Sequence, residues 1–295
     1  MNETLAASSA TSTSADAYQA SYVELLKRAV SNSIYCQPAA VLSEDVESCE
    51  RALDRVRKAK PWVLASQGNL TGEGLAGILA YTKRSLPVHT YVRRPGLDNV
   101  EQCVRTVVDD GIAGDLVDAG TLRGGIGILM RGILHASGDI ERKVLVADSF
   151  RGLPPPGEVD SVFDREIWYA LADHLPQYNL LCDETLGQVR KNFEAYGLLD
   201  QQVEFVEGRF CDSLPRLPPR PLAVIRADAD WYEGTRDILN YLYPMLSPGG
   251  FMLIDDYKLQ GCKKAVDEYR VKNKVYDKLR IVDEVDGVIF WRKGG

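Results

Sequence analysis

The sequence predicts an α/β fold in which a doubly wound, mostly parallel sheet follows an N-terminal helical extension. From Asp115 onward, short apolar runs alternate with segments of helical spacing, which is typical of strand–helix–strand units. Two of these runs, Val224–Ala227 and Phe251–Ile254, are each followed directly by aspartates. Asp286-Gly287 separates the last two runs and is a hairpin turn signal, so the final strand should be antiparallel.

The first 111 residues carry helical patterns without a convincing strand. Residues 1–17 are small and polar, and we interpret them as a disordered leader. Residues 18–111 form a predicted helical segment that would cap a site or mediate dimerisation. Its helices are expected at Tyr22–Val30, Val46–Lys58, Leu75–Leu86 and from Leu97 to about Gly111.

Residues 112–295 form the second predicted unit, which contains the sheet. Its strands are expected at Leu116–Asp118, Val144–Asp148, Val203–Val206, the two aspartate-terminated runs, Leu279–Glu284 and Val288–Arg292. Its helices are expected at Gly124–Leu134, Thr185–Tyr196, Glu233–Leu246 and Gly261–Lys272. A long connection at 155–185 is predicted to act as a lid. Ligands of such sheets bind at the carboxyl ends of the strands.

Composition narrows the class of protein. The 295 residues carry a net charge of -7, which argues against nucleic-acid binding because no basic stripe could neutralise phosphates. No apolar run approaches about 18 residues, so no membrane span is predicted. The six cysteines include no C-x-x-C pair, which indicates neither a zinc site nor a disulfide framework and is consistent with a reducing cytoplasm.

Three aspartates at two neighbouring strand ends are the strongest candidate site. Parallel strands end at the same edge of a sheet, so Asp228, Asp255 and Asp256 should converge. Carboxylates about 5 Å apart repel by roughly 3 kcal/mol per pair, and a hard cation such as Mg²⁺ relieves that repulsion. A solvated strand end is the alternative interpretation for any one of them.

A glycine-rich turn follows the first strand of the sheet. The segment Asp118–Gly127 has the spacing G-x-x-x-G-G, which differs from the G-x-G-x-x-G of dinucleotide-binding folds. Such a turn lets the backbone approach a ligand at a helix N-terminus, although a close-packed turn is the alternative. Asp148 ends the second strand and could accept hydrogen bonds from ribose hydroxyls, and Gly208-Arg209-Phe210 could border an adenine ring.

These segments together give the chain a resemblance to a known family. It resembles the class I S-adenosylmethionine-dependent methyltransferases and, more narrowly, the macrocin O-methyltransferase family, which methylates deoxysugar hydroxyls on natural products. The resemblance runs from about His89 to Lys293. It is carried by His89-Thr90, Arg94–Val100, Gly114–Gly120, Arg123–Gly125, Met130-Arg131, Asp148–Pro154, Gly208–Phe210, Asp212–Pro215, Asp228–Thr235 and Leu246–Gly250 through Tyr257.

The resemblance implies a Rossmann-like methyltransferase sheet, two cofactors and a set of site residues. It implies Mg²⁺ on Asp228, Asp255 and Asp256. It implies S-adenosylmethionine contacts from Thr90, Asp118, Gly120, Leu122, Asp148, Ser149, Gly208, Arg209, Phe210 and Asp228. Three positions depart from the family pattern, which usually has Glu at Asp118, Trp at Leu122 and Gly at Ala229.

The expected reaction is an in-line methyl transfer to an acceptor hydroxyl, with a neighbouring acceptor oxygen also bound to the metal. Asp228 is the first candidate for the general base, and Asp230 is the second, with a helix N-cap as its alternative role. His174, in the predicted lid, and His89 are further candidates for proton transfer. Aromatic residues of the same segment could line an acceptor pocket or anchor the lid, namely Trp168, Tyr169 and Tyr178.

Other functions stay open at this point. A catechol-type small-molecule O-methyltransferase would use the same chelating pair of oxygens. An NAD-dependent oxidoreductase on a related fold is disfavoured by the glycine spacing and by the lack of a Tyr-x-x-x-Lys pair. A binding module without turnover would not need the three aspartates. The expected partners are a small-molecule acceptor, such as a glycosylated natural product, and a second copy of the chain.

Overall fold

Seven strands form one sheet in the computed structural model, which describes residues 3–34, 43–59, 70–82, 88–175 and 184–294. The strands are β1 Asp115–Ala119, β2 Val144–Asp148, β3 Val203–Glu207, β4 Leu222–Ala227, β5 Leu246–Ile254, β6 Arg280–Asp283 and β7 Val288–Arg292. Their order across the sheet is β3-β2-β1-β4-β5-β7-β6. The first five are parallel, and β7 is antiparallel to both of its neighbours. The predicted fold class and closing hairpin are thereby confirmed.

Ten helices are found in the described part of the chain. They are α1 Glu3–Val30, α2 Ser43–Ala59, α3 Gly72–Thr82, α4 Arg94–Asp109, α5 Gly125–Ala136, α6 Val162–His174, α7 Leu186–Ala195, α8 Phe210–Ser213, α9 Tyr232–Leu242 and α10 Gln260–Lys272. Helix α1 covers most of the segment predicted to be a disordered leader. Ala6, Ala7 and Ala10 favour this helix, because alanine has the highest helix propensity.

Helices pack on both faces of the sheet, because strands β1, β2 and β4 are buried on both sides. One core contains Val23 of α1, Leu97 of α4 and Leu129 of α5. The other contains Ile238 of α9 and Val266 of α10. Helices α1 and α4 thus share a core with the sheet, although the sequence predicts a boundary near residue 111.

A third, smaller core lies between α2, α3 and α6. It contains Cys49 and Leu53 of α2, Leu75 of α3 and Leu171 of α6. The predicted lid at 155–185 therefore includes a helix that packs against the N-terminal segment. Residues 176–183, which include Tyr178, lie outside the described residues. Among the helices described, none is both long enough and apolar enough to cross a membrane.

Candidate functional site

The turn after β1 is stabilised by hydrogen bonds to a buried carboxylate. Asp118 has no exposed surface, and its Oδ2 accepts hydrogen bonds from Thr121 Oγ1 at 2.7 Å and from the backbone N–H of Gly127 at 3.0 Å. Burial raises the pKa of Asp118, although the charge of Arg226 opposes this shift. In this structure the side chain supports the turn, and its predicted contact with the cofactor stays a prediction.

Glycine is required at position 120 because two strand ends meet there. Gly120 has a φ of 89°, and a Cβ atom on it would lie 1.7 Å from the carbonyl oxygen of Asp228. The next turn residue but one, Leu122, also has a positive φ, of 54°. The loop after β1 therefore touches the loop after β4 directly, beside the aspartates.

Asp148 ties the second strand to the same turn. Its Oδ2 accepts a hydrogen bond from the Thr121 N–H at 2.9 Å, and its Oδ1 accepts one from the Phe150 N–H at 2.8 Å. Ser149 Oγ lies 3.4 Å from Oδ1. Burial raises the pKa of Asp148, although both backbone hydrogen bonds favour the charged form. The predicted ribose-binding carboxylate therefore lies where the loops after β1 and β2 meet, an edge of the sheet that we call the cofactor edge after its predicted ligand.

The loop after β3 completes that edge. The Gly208 N–H donates to the carbonyl of Asp148 at 2.9 Å, which places Gly208–Phe210 beside the end of β2. Arg209 is the exposed N-cap residue of α8. Phe210 is half-buried and lies near the start of α9, where a Cβ on Gly234 would be 3.6 Å from its ring. An apolar wall at this position suits a planar base.

Thr90 lies against the N-terminus of α5. The carbonyl of His89 accepts a hydrogen bond from the Gly125 N–H at 3.0 Å, and a Cβ on Gly125 would lie 2.8 Å from Thr90 Cβ. Thr90 is buried, and its Oγ1 accepts from the Val92 N–H. His89 is bonded to Tyr196, and burial together with the charge of Arg123 lowers the pKa of its imidazole.

Three carboxylates lie together at the ends of β4 and β5. Oxygen atoms of Asp228, Asp230 and Asp256 fall within 4.8 Å of one another, and the three side chains are half-buried. The Asp230 N–H also donates to Asp256 Oδ2 at 3.1 Å. Burial, followed by the charge of Asp228, raises the pKa of Asp230 to about 8. Burial and the charge of Asp230 raise the pKa of Asp256 well above its ordinary value.

Asp255 contacts the same guanidinium nitrogen as Asp228 but is not part of the group whose oxygens fall within 4.8 Å of one another. It is buried and forms an ion pair with Arg226, whose Nε donates to Asp255 Oδ2 at 2.8 Å. The structure thus places Asp230, and not Asp255, with Asp228 and Asp256. The predicted metal set of Asp228, Asp255 and Asp256 stays a prediction.

Arg226 is the site residue that sequence reasoning missed. It is only 2% exposed and contacts Asp118, Asp228 and Asp255. Burial lowers the pKa of the guanidinium, but the charges of these three carboxylates raise it well above its ordinary value. A signal was present, since an arginine interrupts the apolar run two positions before Asp228, on the same side of the strand.

The alternative role of Asp230 as a helix N-cap is not found. Trp231 occupies the N-cap position of α9, and the Tyr232 N–H donates instead to Asp160 Oδ1 at 2.9 Å. Asp230 has a φ of 53°, a left-handed conformation that non-glycine residues rarely adopt. Its backbone therefore turns sharply at the strand end, and its side chain joins the other carboxylates.

The lid residues anchor their own segment. Trp168 Nε1 donates to the Leu153 carbonyl at 3.0 Å, and its ring packs edge-on against Tyr169. His174 is the last residue of α6, where a helix C-terminus favours a cationic side chain. The anchoring role of Trp168 is thus observed, whereas acceptor contacts and a proton-transfer role for His174 stay predictions.

The residues at this edge fit both expected cofactors. The carboxylate group offers only oxygen ligands, and burial together with the neighbouring negative charges raises the pKa of Asp230 and of Asp256, so a hard divalent cation suits it. The glycine turn after β1 and the carboxylate of Asp148 at the end of β2 suit a nucleoside. Asp228 and Asp256, with Asp255 beside Asp228 on the same guanidinium, would hold the cation, and Asp230 borders them. The loops after β1, β2 and β3 would hold the nucleoside.

Known proteins are similar to this chain over most of its length. The 8-demethyl-8-(2,3-dimethoxy-alpha-L-rhamnosyl)-tetracenomycin-C 4'-O-methyltransferase of Streptomyces olivaceus is 48% identical over 205 residues, covering 69% of this chain and 75% of that protein. The mycinamicin III 3''-O-methyltransferase of Micromonospora griseorubida is 36% identical over 274 residues, covering 92% and 96%. The solved structure of the O-methyltransferase NovP is 34% identical with a TM-score of 0.71, covering 94% of this chain and 100% of that one.

The match to a protein family is equally extensive. The model of the family Macrocin-O-methyltransferase (TylF) matches residues 19–293, from helix α1 to the end of the sheet. This span includes every residue assigned above to the cofactor edge and to the carboxylate group. A hydride-transferring enzyme on a related sheet is no longer the competing interpretation. The chain therefore belongs to the macrocin O-methyltransferase family, whose members are S-adenosylmethionine-dependent O-methyltransferases.

Proposed function

We propose that this chain methylates a hydroxyl on the sugar of a glycosylated natural product, with Mg²⁺ bound at Asp228, Asp255 and Asp256. The names of two relatives, a rhamnosyl-tetracenomycin and a mycinamicin methyltransferase, support this substrate class. The acceptor would offer a second oxygen next to the reacting hydroxyl. An aromatic diol is the competing acceptor.

One contact carries the proposal, namely the meeting of the β1 turn with the loop that bears the carboxylates. The Cβ position of Gly120 falls 1.7 Å from the Asp228 carbonyl oxygen. A nucleoside lying on that turn is thereby next to Asp228, Asp230 and Asp256. Positioning a methyl donor and an acceptor in line is the main task of such an enzyme, because orientation alone lowers the barrier substantially.

The cofactors would supply the remaining chemistry. S-adenosylmethionine supplies a methyl group on a sulfonium, so the departing group needs no acid from the protein. Mg²⁺ supplies positive charge that lowers the pKa of a nearby hydroxyl. The residues of the chain would orient both partners and accept the hydroxyl proton.

We assign proton removal to Asp230 in preference to Asp228, the first candidate from the sequence. Arg226 Nη2 contacts Asp228 Oδ2, and an oxygen engaged in an ion pair with a guanidinium is less available to take a proton. Asp230 stands outside that ion pair, and its oxygen lies within 4.8 Å of those of Asp228 and Asp256, where the acceptor hydroxyl is proposed to bind.

A methyl-transfer assay tests the proposed function. The wild type is incubated with S-adenosylmethionine and a glycosylated polyketide that lacks one sugar O-methyl group, and a catechol acceptor is run in parallel. We expect transfer to the sugar that EDTA abolishes and Mg²⁺ restores. Asp256→Asn should reduce kcat by about 100-fold or more, on the scale of lost metal or base catalysis.

The matched control is Asp267→Asn, which removes a carboxylate from an exposed ion pair with Lys263 on α10 and should leave kcat unchanged. EDTA-resistant transfer would contradict the metal assignment. Preference for catechol would contradict the sugar assignment.

We also propose that the chain forms a homodimer. Helix α1 presents Tyr18 and Leu25 to solvent, with 78% and 55% of their surface exposed, on the side away from the core. Light scattering coupled to size-exclusion chromatography should give twice the mass of one chain. A Tyr18→Ser/Leu25→Ser variant that stays dimeric would exclude this face as the contact.

A further inference from the structure

Arg226 is a fully buried cation in the middle of the sheet. Its strand neighbours Ile225 and Ala227 are buried and apolar, and the guanidinium is 2% exposed. Burying an unpaired charge at this depth would cost free energy, so the role of Arg226 depends on the groups with which it pairs. Those partners come from three adjacent strands, because Asp118 lies in β1, Asp228 follows β4 and Asp255 follows β5.

The guanidinium divides these contacts between two functional regions. Toward the cofactor turn, Nη1 donates to Asp118 Oδ1 at 2.7 Å and to the Gly120 carbonyl at 3.2 Å. Toward the carboxylates, Nε donates to Asp255 Oδ2 at 2.8 Å, and Nη2 contacts both Asp255 and Asp228. Because the guanidinium is planar and rigid, a shift toward one region loosens its contacts with the other.

The guanidinium uses one oxygen of each carboxylate. It contacts Oδ2 of Asp228 and of Asp255, so the second oxygen of each is left for another cation. It contacts Oδ1 of Asp118, whose Oδ2 accepts from Thr121 and from the N-terminus of α5. The cofactor turn and the proposed metal ligands are therefore connected through a single side chain.

We propose that Arg226 is a positioning residue that couples S-adenosylmethionine binding to divalent-cation binding. This inference rests on the proposed function. A cation bound to Asp228 and Asp255 weakens the ion pairs that these carboxylates form with the guanidinium. The guanidinium then interacts more strongly with Asp118 and Gly120. Those contacts order the turn on which the nucleoside lies. Each ligand should therefore raise the affinity for the other, by the same factor.

Calorimetric titration measures this coupling without turnover. S-adenosylmethionine is titrated into the wild type in EDTA and in saturating Mg²⁺, and Mg²⁺ is titrated with and without S-adenosylhomocysteine. We expect the cation to lower the cofactor Kd by at least about 5-fold, within the usual range for coupled sites. In Arg226→Lys, a single ammonium cannot bridge both regions, so the ratio of the cofactor Kd in EDTA to the cofactor Kd in Mg²⁺ should fall to about 1.

Arg131→Lys is the matched control. Arg131 is also a buried arginine in an ion pair, but its partner is Asp200, and the ratio should stay at the wild-type value. If Arg226→Lys fails to fold by circular dichroism, the isosteric Asp118→Asn tests the same connection and should also bring the ratio to about 1. A wild-type ratio in the folded variant would overturn the inference.

The two proposals fail in different ways. If the wild type binds both ligands with no change in either Kd, the coupling is overturned while the proposed function stands. If the wild type binds Mg²⁺ but not S-adenosylmethionine, or the reverse, the proposed function itself is contradicted.

Discussion

Backbone strain collects at the residues that border the site. Leu122, Phe150 and Asp230 have φ values of 54°, 52° and 53°, and they follow the ends of β1, β2 and β4. A left-handed conformation costs a non-glycine residue roughly 1–2 kcal/mol, so the surroundings must enforce it. At each of these turns, the strained backbone puts a loop at the edge where the cofactor and the cation are proposed to bind.

Gly120→Ala should therefore damage the site more than an ordinary glycine substitution. The new methyl group would overlap the Asp228 carbonyl oxygen, which lies 1.7 Å from the Cβ position, so the two loops must separate. We expect S-adenosylmethionine affinity to fall by about 100-fold or more, together with a loss of several kcal/mol in the free energy of unfolding. Calorimetry and urea denaturation measure the two effects.

Gly111→Ala separates conformational strain from steric overlap. Gly111 also has a positive φ, of 64°, but no heavy atom lies within 4 Å of its Cβ position. The Gly111→Ala variant should lose only about 1 kcal/mol in its free energy of unfolding and keep the wild-type Kd for S-adenosylmethionine. Equal cofactor Kd values for the two variants would show that contact between the loops is unimportant.

Part of the site could be predicted at the level of single residues, and part could not. The aspartates after β4 and β5 were predictable because apolar runs end where the chain meets water. The pairing of Asp255 with Arg226 was not, because it depends on which side of the sheet each residue faces and on the register of three strands. The arginine within the apolar run is visible in the sequence, but its partners can be identified only from the fold.

The helices α2, α3 and α6 share their own core, and we propose that they form a cap over the site, with an ion pair between its two parts. Arg57 of α2 donates from Nε to Glu166 of α6 at 2.6 Å and from Nη2 to the Leu70 carbonyl at 2.6 Å. Glu166 is only 3% exposed, so its charge depends on this partner. The cap is therefore held by a buried pair as well as by apolar packing.

Arg57→Met should destabilise the cap by about 3 kcal/mol, because it leaves the Glu166 carboxylate buried without its cation. Hydrogen exchange should show faster exchange across Val162–His174 and unchanged exchange in β1 and β4. The exposed pair Arg51–Glu47 on the same helix supplies the control, and Arg51→Met should cost under about 0.5 kcal/mol.

Arg57→Met/Glu166→Leu should recover most of the lost protection, since no charge is then left unpaired. If the double variant exchanges as fast as Arg57→Met, the ion pair is not what joins the two parts of the cap.

The sequence predicts a long connection where the structure has helix α6, and the composition of this helix explains the difference. Its apolar positions are mixed with Asp164, Arg165 and Glu166, two of which are buried in the cap, so the periodicity is weak. A capping box at Ser161 and Asp164 marks its start and is readable in the sequence. The shared core with α2 and α3 was not predictable, because it joins segments about a hundred residues apart.

At the scale of the whole molecule, the carboxylate group should shape how stability depends on pH. Burial, and next the charge of Asp228, raises the pKa of Asp230 from 3.8 to about 8 in the folded state. The folded state then holds the proton more tightly than the unfolded state. The resulting stability is complete below the unfolded pKa and is lost as the pH rises through about 8.

Melting temperatures measured in EDTA should therefore fall as the pH rises from about 4 to about 8 and level off above that. Asp230→Asn should flatten this fall, and stabilisation by Mg²⁺ should grow with pH because the cation binds the deprotonated ligands. The control is Asp200→Asn, since hydrogen bonding to Arg131 lowers the pKa of Asp200, so its effect lies at acid pH. A wild-type slope in Asp230→Asn would contradict this account.

The composite cap has a consequence for engineering acceptor choice. One half of its core comes from Cys49, Leu53 and Leu75, which precede β1 and β2 in the sequence. The other half comes from Leu171 and Leu175, which follow both strands. A chimaera that takes only one half from a relative would join two apolar surfaces that were never shaped for each other. Transplants between members of the family should therefore move residues 43–82 and 154–175 as a matched pair.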